Sequence, residues 1–397
     1  MQSDEFDRLI RRLDQRARRN PTLYECYVAG LVMLAYTYLL GVLLLAIGLV
    51  LGGVALACIV PNALTVKLAI VIGLAAGGLS LAIFKGLWVR LAPPQGMELT
   101  AAEAPELFAL IDQLRQQLRC APFHHVLLVN DYNAAVAQTP RLGIFGWQRN
   151  YLILGLPLLL GLGPEEFKAV LAHEFGHLSK NHSRFNGWIY RARRTWEQIF
   201  HQMAQRRRSD LGLLRHFSKW FWPKFNASAF VLSRQDEYIA DRCSADLAGS
   251  IPAATALLRV RVHRPLIREK FWPELHARAG EQAMPPTNPF TELGARLSAP
   301  GDPVDTAKWI RLSLQEPTNN TDTHPCLRER LAALGQLPAD VSGDCLAGVL
   351  PPRSGPSAAE VFLGSKLSEW TSKMGREWAG LVEKNWSNWI TVTSSIN

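Results

Sequence analysis

Two stretches near the N-terminus carry no charged residue: 27–66 and, after Lys67, 68–84. One helical crossing of a bilayer needs about 20 apolar residues. The region therefore predicts two membrane-spanning helices, near 27–55 and 66–84, with a turn at Pro61-Asn62. Gly41, Gly48, Gly52, Gly53, Gly77 and Gly78 are positions where the two helices could approach closely. A charged segment, 1–26, precedes the apolar run, and the run is too long for the apolar core of a cleaved leader. The competing reading is a hairpin buried inside a soluble protein.

Beyond this region the pattern becomes that of a folded domain. Leu107, Leu110, Ile111, Leu114 and Leu118 recur at helical spacing and predict an amphipathic helix over 103–118. Short apolar runs at 126–129, 134–137 and 151–154 predict strands. Gly163-Pro164-Glu165-Glu166 opens a helix, with Pro in the first turn and two acids at the positive end of its dipole. Most of the chain after Pro164 is helical in pattern. The Pro-, Gly- and Ser-rich stretches 284–304 and 335–357 predict loops. A last helical tail, about 358–390, carries Trp370, Trp378, Trp386 and Trp389 roughly on one side; core packing is the expectation and a bilayer interface the alternative. No internal repeat is evident.

Charge adds a second layer. The net charge is +9, and 184–224 holds ten Lys or Arg against Glu197 and Asp210. Arg191, Arg193, Arg194 and Arg206-Arg207-Arg208 alternate there with Trp188, Trp196, Trp220 and Trp222. Basic residues mixed with tryptophan suit an anionic bilayer surface. A nucleic-acid patch and a solvated helix face are the alternatives. Arg16, Arg18 and Arg19 precede the first apolar helix, Lys85 and Arg90 follow the second, and only Lys67 lies between them. The positive-inside rule then puts both ends in the cytoplasm. The six cysteines are scattered and suggest neither a disulfide framework nor a cysteine-zinc site.

The chemistry is carried by His173-Glu174-Phe175-Gly176-His177. On a helix, residues four apart share a face, so both imidazoles can reach one zinc ion at about 2.0–2.1 Å. Glu174 stands beside them and can take a proton from water. Two histidines leave one protein ligand to find. Ser233-Arg234-Gln235-Asp236-Glu237-Tyr238-Ile239-Ala240-Asp241 offers Glu237 as a carboxylate ligand. Asp241, one turn on, could accept a hydrogen bond from a ligating imidazole, and Arg234 could brace a carboxylate or the substrate. The alternative is a solvated, charged helix face. His182, five residues past His177, falls off the ligand face and is expected to be structural.

These motifs, together with Asn150–Leu156 and Thr323-His324-Pro325, resemble the HtpX-like and CAAX-prenyl-protease-type family of membrane zinc metallopeptidases, of gluzincin type. The likeness spans roughly 98–335. It implies one Zn2+ per chain on His173, His177 and Glu237, with Glu174 as general base and Asp241 supporting the site. It implies that Asn133, Ala134 and Ala135 lie on an edge strand that holds an extended substrate by strand addition; an ordinary hairpin strand is the alternative. It implies that His324 stabilises the tetrahedral intermediate; on sequence alone a cap for a helix starting at Pro325 is equally open. The chain departs from the HtpX pattern in one respect. The stretch 183–232 has no apolar run near 18 residues, so a second membrane pair is not expected.

The fold class implied is α+β, mostly α: a two-helix transmembrane hairpin followed by a zincin-type metallopeptidase domain with a small sheet. The expected organisation is 1–26 a cytoplasmic segment, 27–85 the hairpin, 98–335 the peptidase domain with the basic insert 184–224, and 357–397 the helical tail. The implied function is a membrane-anchored zinc endopeptidase in membrane or protein quality control or processing. Its partners would be peptide or protein substrates and the lipid bilayer, not nucleic acid. Its location would be a bacterial inner membrane, with the catalytic domain facing the cytoplasm. A catalytically silent scaffold on the same fold, or a membrane-tethered nucleic-acid binder, are the other classes.

Overall fold

The computed structural model describes residues 3–87, 92–141, 148–178, 188–189, 192–193, 196, 212–320, 323–337 and 350–386. These group into two compact units. One draws on Met1–Ala92, Thr139–Arg149 and Asn181–Gln235, the other on Pro93–Gln138, Asn150–Lys180 and Asp236–Asn397.

The first unit is helical. Helix α1 (Ser3–Arg19) leads into α2 (Pro21–Ile59), which begins with Asn20 accepting from Leu23 N at 3.0 Å and Pro21 in its first turn. After a tight turn, where the Asn62 side chain accepts from Leu64 N and Thr65 N, α3 runs over Ala63–Leu87. At 1.5 Å per residue α2 is about 58 Å long, well beyond the ~30 Å hydrocarbon thickness. Both helices are long and apolar enough to cross a membrane. Of the glycines singled out for close helix approach, only Gly53 lies within contact range of the neighbouring helix, with Ala69 Cα 3.5 Å from where a Cβ would stand. The other five meet nothing among the described residues.

Along α2, Tyr24, Val28, Val32, Ala35, Leu39, Val42 and Ala46 form one buried stripe at three- and four-residue spacing. Part of it is covered by the first half of a long helix, α7 (Gly212–Ala248). Tyr24 Oη donates to Ser228 O at 3.0 Å, and the Tyr38 and Phe217 rings stack with centroids 3.8 Å apart. The basic insert is therefore partly a packing element. Trp196 is fully buried against Phe217 and Phe221, whereas Trp220 is exposed with Lys224 Nζ over its ring at 4.2 Å. Arg191, Arg194 and Arg206–Arg208 lie outside the described residues, as do His182 and Trp389.

The second unit is a mostly helical domain around a small sheet. Its strands are β1 (Met97–Glu98), β2 (His125–Val129), β3 (Ala134–Pro140) and β4 (Gln148–Gly155), in the order β1-β2-β4-β3. β1 and β2 are antiparallel; β2 and β4 are parallel, with Val126 opposite Leu152. That order makes β3 an edge strand. Helix α4 (Pro105–Gln117), the wholly buried α5 (Leu156–Gly161) and α6 (Pro164–Gly176) pack with the sheet into the main core. The second half of α7 is followed by α8 (Ser250–Pro265), a π-helical turn (Leu266–Phe271), α9 (Trp272–Ala277), α10 (Pro289–Ser298), α11 (Pro303–Gln315) and α12 (Leu327–Ala333). The tail folds as α13 (Ala358–Leu363) and α14 (Leu367–Trp386).

One expectation is corrected here and another is met. The stretch 284–304 is not all loop: Pro289 sits in the first turn of α10, where a missing N–H costs nothing, so it opens a helix instead of breaking one. The expectation that the tail's tryptophans pack into the core is met by Trp370, Trp378 and Trp386. All three are buried, and Trp386 Nε1 donates to Gln282 O at 2.9 Å.

Candidate metal centre

Helix α6 is fixed at its start before it reaches the histidines. Glu166 accepts from the Gly163 backbone N–H at 2.9 Å, and Arg259 of α8 donates to both oxygens of that carboxylate at 3.0 Å. Phe167, Leu171, Ala172 and Phe175 bury one side of the helix, and His173 and His177 emerge one turn apart with ring centroids 4.9 Å apart. Gly176 explains how a second helix comes so near. A Cβ at that position would stand 3.0 Å from Ala240 Cα and 3.3 Å from Ala240 Cβ, so the absence of a side chain lets α6 and α7 approach this closely. Ser244 Oγ adds a hydrogen bond to Ala169 O at 2.7 Å.

That contact brings Glu237 to the histidines. His173 Nε2 is 3.4 Å from Glu237 Oε2, and His177 Nε2 is 3.6 Å from Glu237 Oε1. The three ligand atoms lie within 4.8 Å of one another. Glu237 is buried, yet its Oε2 makes no hydrogen bond among the described residues. A buried carboxylate oxygen without a donor is costly unless a cation completes it. Two ligands sharing a tetrahedral zinc at about 2.0–2.2 Å stand roughly 3.3–3.6 Å apart, too far for a good hydrogen bond between them. The spacing and the bare oxygen both fit a metal ion better than direct hydrogen bonding.

Behind the histidines lies a charged network. His173 Nδ1 is 3.0 Å from Asp241 Oδ1, which leaves Nε2 facing Glu237. Arg330, from α12, donates to both oxygens of Asp241, at 2.8 Å through Nε and 2.6 Å through Nη2. Tyr238 Oη donates to Glu329 at 2.7 Å and ties the same two helices. Arg330 was not legible in the sequence, because it stands 89 residues from Asp241 with no motif of its own. Burial would lower the His173 pKa, but the Asp241 and Glu237 carboxylates beside the ring outweigh that and raise it to about 9. Burial and the charge of His173 push His177 down to about 4. Burial would raise Glu237, but the histidines hold it down at about 2. Asp241, despite its burial, is held well below the usual carboxylate range by Arg330 and His173. Burial raises the Glu174 carboxyl.

A cavity of about 450 Å3 opens over the site and is lined by Asn133, Ala134, Ala135, His173, Glu174 and His177, among others. Gly155 sets the position of Asn133: its N–H donates to Asn133 O at 2.9 Å, and a Cβ there would collide with Asp131 O. His324 is exposed at the rim, with Nε2 3.5 Å from Glu237 Oε1. It does not cap the next helix, whose N-cap is Cys326. Arg234 belongs to the first unit, where its guanidinium lies over the Phe230 ring at 4.8 Å.

Residues 115–337, more than half of the chain, match the profile of peptidase family M48. No curated protein and no solved structure gives a match.

Proposed function

The chain belongs to peptidase family M48 and is a metallopeptidase, and from that premise we propose that it is a membrane-anchored zinc endopeptidase with its catalytic unit on the cytoplasmic side. The observation that carries this reading is the His173–His177–Glu237 cluster with its bare carboxylate oxygen, whose two histidines line the same cavity as Glu174. Zinc held by these three side chains would acidify a water molecule and polarise the scissile carbonyl.

The remaining work falls to the chain's own residues. Glu174 takes the proton of the attacking water and passes it to the leaving nitrogen; burial raises its pKa above the ordinary carboxylate value, which strengthens it as a base. His324 supplies a donor to the developing oxyanion from the cavity rim. The edge strand β3, beginning at Ala134, pairs with the substrate backbone and lays it across the site. Asp241 fixes the His173 tautomer, and Arg330 fixes Asp241. The apolar helices α2 and α3 anchor the chain, and positive charge at 16–19 and 85–90 keeps both ends in the cytoplasm. That placement suits a processing or quality-control role at the membrane.

The test is zinc content measured beside cleavage of an unfolded protein such as casein. Wild type and Glu174→Gln should each hold about one zinc, with turnover in wild type alone, and His173→Ala should lose both metal and turnover. Zinc in the first two with no cleavage by wild type would favour a binding scaffold. No zinc in metal-supplied wild type would overturn the proposal.

A further inference from the structure

One face of α8 runs along the wall of the site cavity. Ala253, Ala256, Leu257, Val260, Arg261 and Arg264 all line it. Their spacing of three, one, three, one and three residues is that of a single helical stripe. Burial falls along the stripe: Ala253 and Ala256 are buried, Leu257, Val260 and Arg261 half-buried, and Arg264 exposed. The wall is thus apolar at its inner end and cationic at its mouth. Two acids share the cavity, Glu174 and Asp241, and Asp241 is neutralised by its two bonds to Arg330. Arg264 has no ion pair among the described residues. Arg261 also faces Glu316 at 3.6 Å, a partly solvated pairing of the kind that contributes little.

We propose that this stripe is a specificity wall that selects peptides presenting a carboxylate next to an aliphatic residue, the aliphatic side chain against Leu257 and Val260 and the carboxylate on Arg261 and Arg264. The inference rests on the peptidase reading above and assigns its substrate class. Apolar burial in the inner part holds the side chain, while the two guanidinium groups read charge by bidentate hydrogen bonding. A substrate lysine at the same place would meet like charge. The carboxylate can come from an Asp or Glu side chain or from the C-terminus of a chain.

The experiment uses the full-length, zinc-loaded protein in lipid nanodiscs. Internally quenched peptides sharing one sequence are scanned on both sides of the cleaved bond with Glu, Gln or Lys, each with a free and an amidated C-terminus. At one position Glu should exceed Lys in kcat/KM by about tenfold or more, as expected for one well-placed charge contact worth ~1.4 kcal/mol. The ratio should invert in Arg261→Glu/Arg264→Glu and return in part in Arg261→Lys/Arg264→Lys, which keeps the charge without the bidentate fork. Zinc content and thermal unfolding establish that each variant is folded. A preference seen only with the free C-terminus assigns the carboxylate to a chain end. Equal rates for Glu and Lys at every position, or a ratio unmoved by the charge reversal, overturns the inference and leaves the peptidase intact. No cleavage of any peptide by zinc-loaded wild type overturns the peptidase reading itself.

Discussion

The two units break the ordinary rule of burial in opposite directions. In the first, large apolar side chains point outward: Leu44, Leu45, Leu51 and Leu74 on α2 and α3 are each more than half exposed. In the second, the apolar core is closed over Phe167, Phe175 and Leu107, and the exceptions are buried ions: His173, Glu237, Asp241 and Arg330. Exposed leucines on two long helices are what the proposed membrane anchor requires, because a large apolar surface is costly in water and not in hydrocarbon. Buried charges describe a task, because a folded core gains little from them.

The strongest way to break the comparison is to treat the buried ions as mere packing. Arg330→Met leaves Asp241 buried with half its partners gone. Breaking a buried pair this way costs about 3–5 kcal/mol, and loosening the group behind a metal-binding imidazole weakens the metal about 10–100-fold. Denaturant unfolding and zinc competition read the two effects separately. A variant as stable and as tight for zinc as wild type would make the network ornamental.

The exposed leucines can be tested with the opposite substitution. On a water-facing helix, Leu45→Arg should change little, within about 0.5 kcal/mol. At the centre of a lipid-facing one it should cost about 2.5–3.5 kcal/mol of insertion. We expect the larger effect, seen as loss of the chain from carbonate-washed membranes. Leu23→Arg, at the start of α2, should be tolerated.

Much of this contrast was legible in the chain. Uncharged length is enough to foresee α2 and α3, since bilayer thickness fixes the number of residues required. The i, i+4 spacing of His173 and His177 places both rings on one face of α6. What could not be read is what depends on distant contacts. Arg330 reaches Asp241 across 89 positions, and no periodicity announces it. The two-residue strand β1 is too short to show alternation. In 183–232, hydropathy marked the absence of a spanning run but missed Trp196, Phe221 and Phe225 packing as a buried aromatic ladder. Phe221 and Phe225 share a face only once α7 is wound, and Trp196 reaches them from before that helix begins.

A smaller effect probes the backbone contact that joins the two ligand-bearing helices. Gly176→Ala inserts a methyl group against Ala240 Cα, which cannot swing aside. Overpacking of this kind costs about 1–3 kcal/mol. The helices must part by a few tenths of an ångström, carrying Glu237 away from His173 and His177. Thermal unfolding should drop modestly, with a proportionally greater loss of zinc affinity. Equal losses in Gly176→Ala and in a core change remote from the site, such as Leu107→Val, would show that the close approach serves packing alone.

The finest test is the proton balance of metal binding. A metal-ligating histidine must give up its proton, so each protonated ligand adds one unit to the pH slope of affinity. Without metal, His173 at about 9 keeps its proton through neutral pH, His177 at about 4 has already lost its own, and Glu237 at about 2 is ionised. Zinc binding between pH 5 and 8 should therefore release about one proton per ion, and affinity should fall about tenfold, or ~1.4 kcal/mol, for each unit of acidification. The slope should steepen only as pH approaches 4. Glu174→Gln removes the titration of the neighbouring carboxylate and isolates the ligands. Calorimetry in buffers of different ionisation enthalpy counts the protons directly. A count near two at pH 6 would mean that His177 is charged in the metal-free site, and that His173 and His177 do not differ in the way their surroundings require.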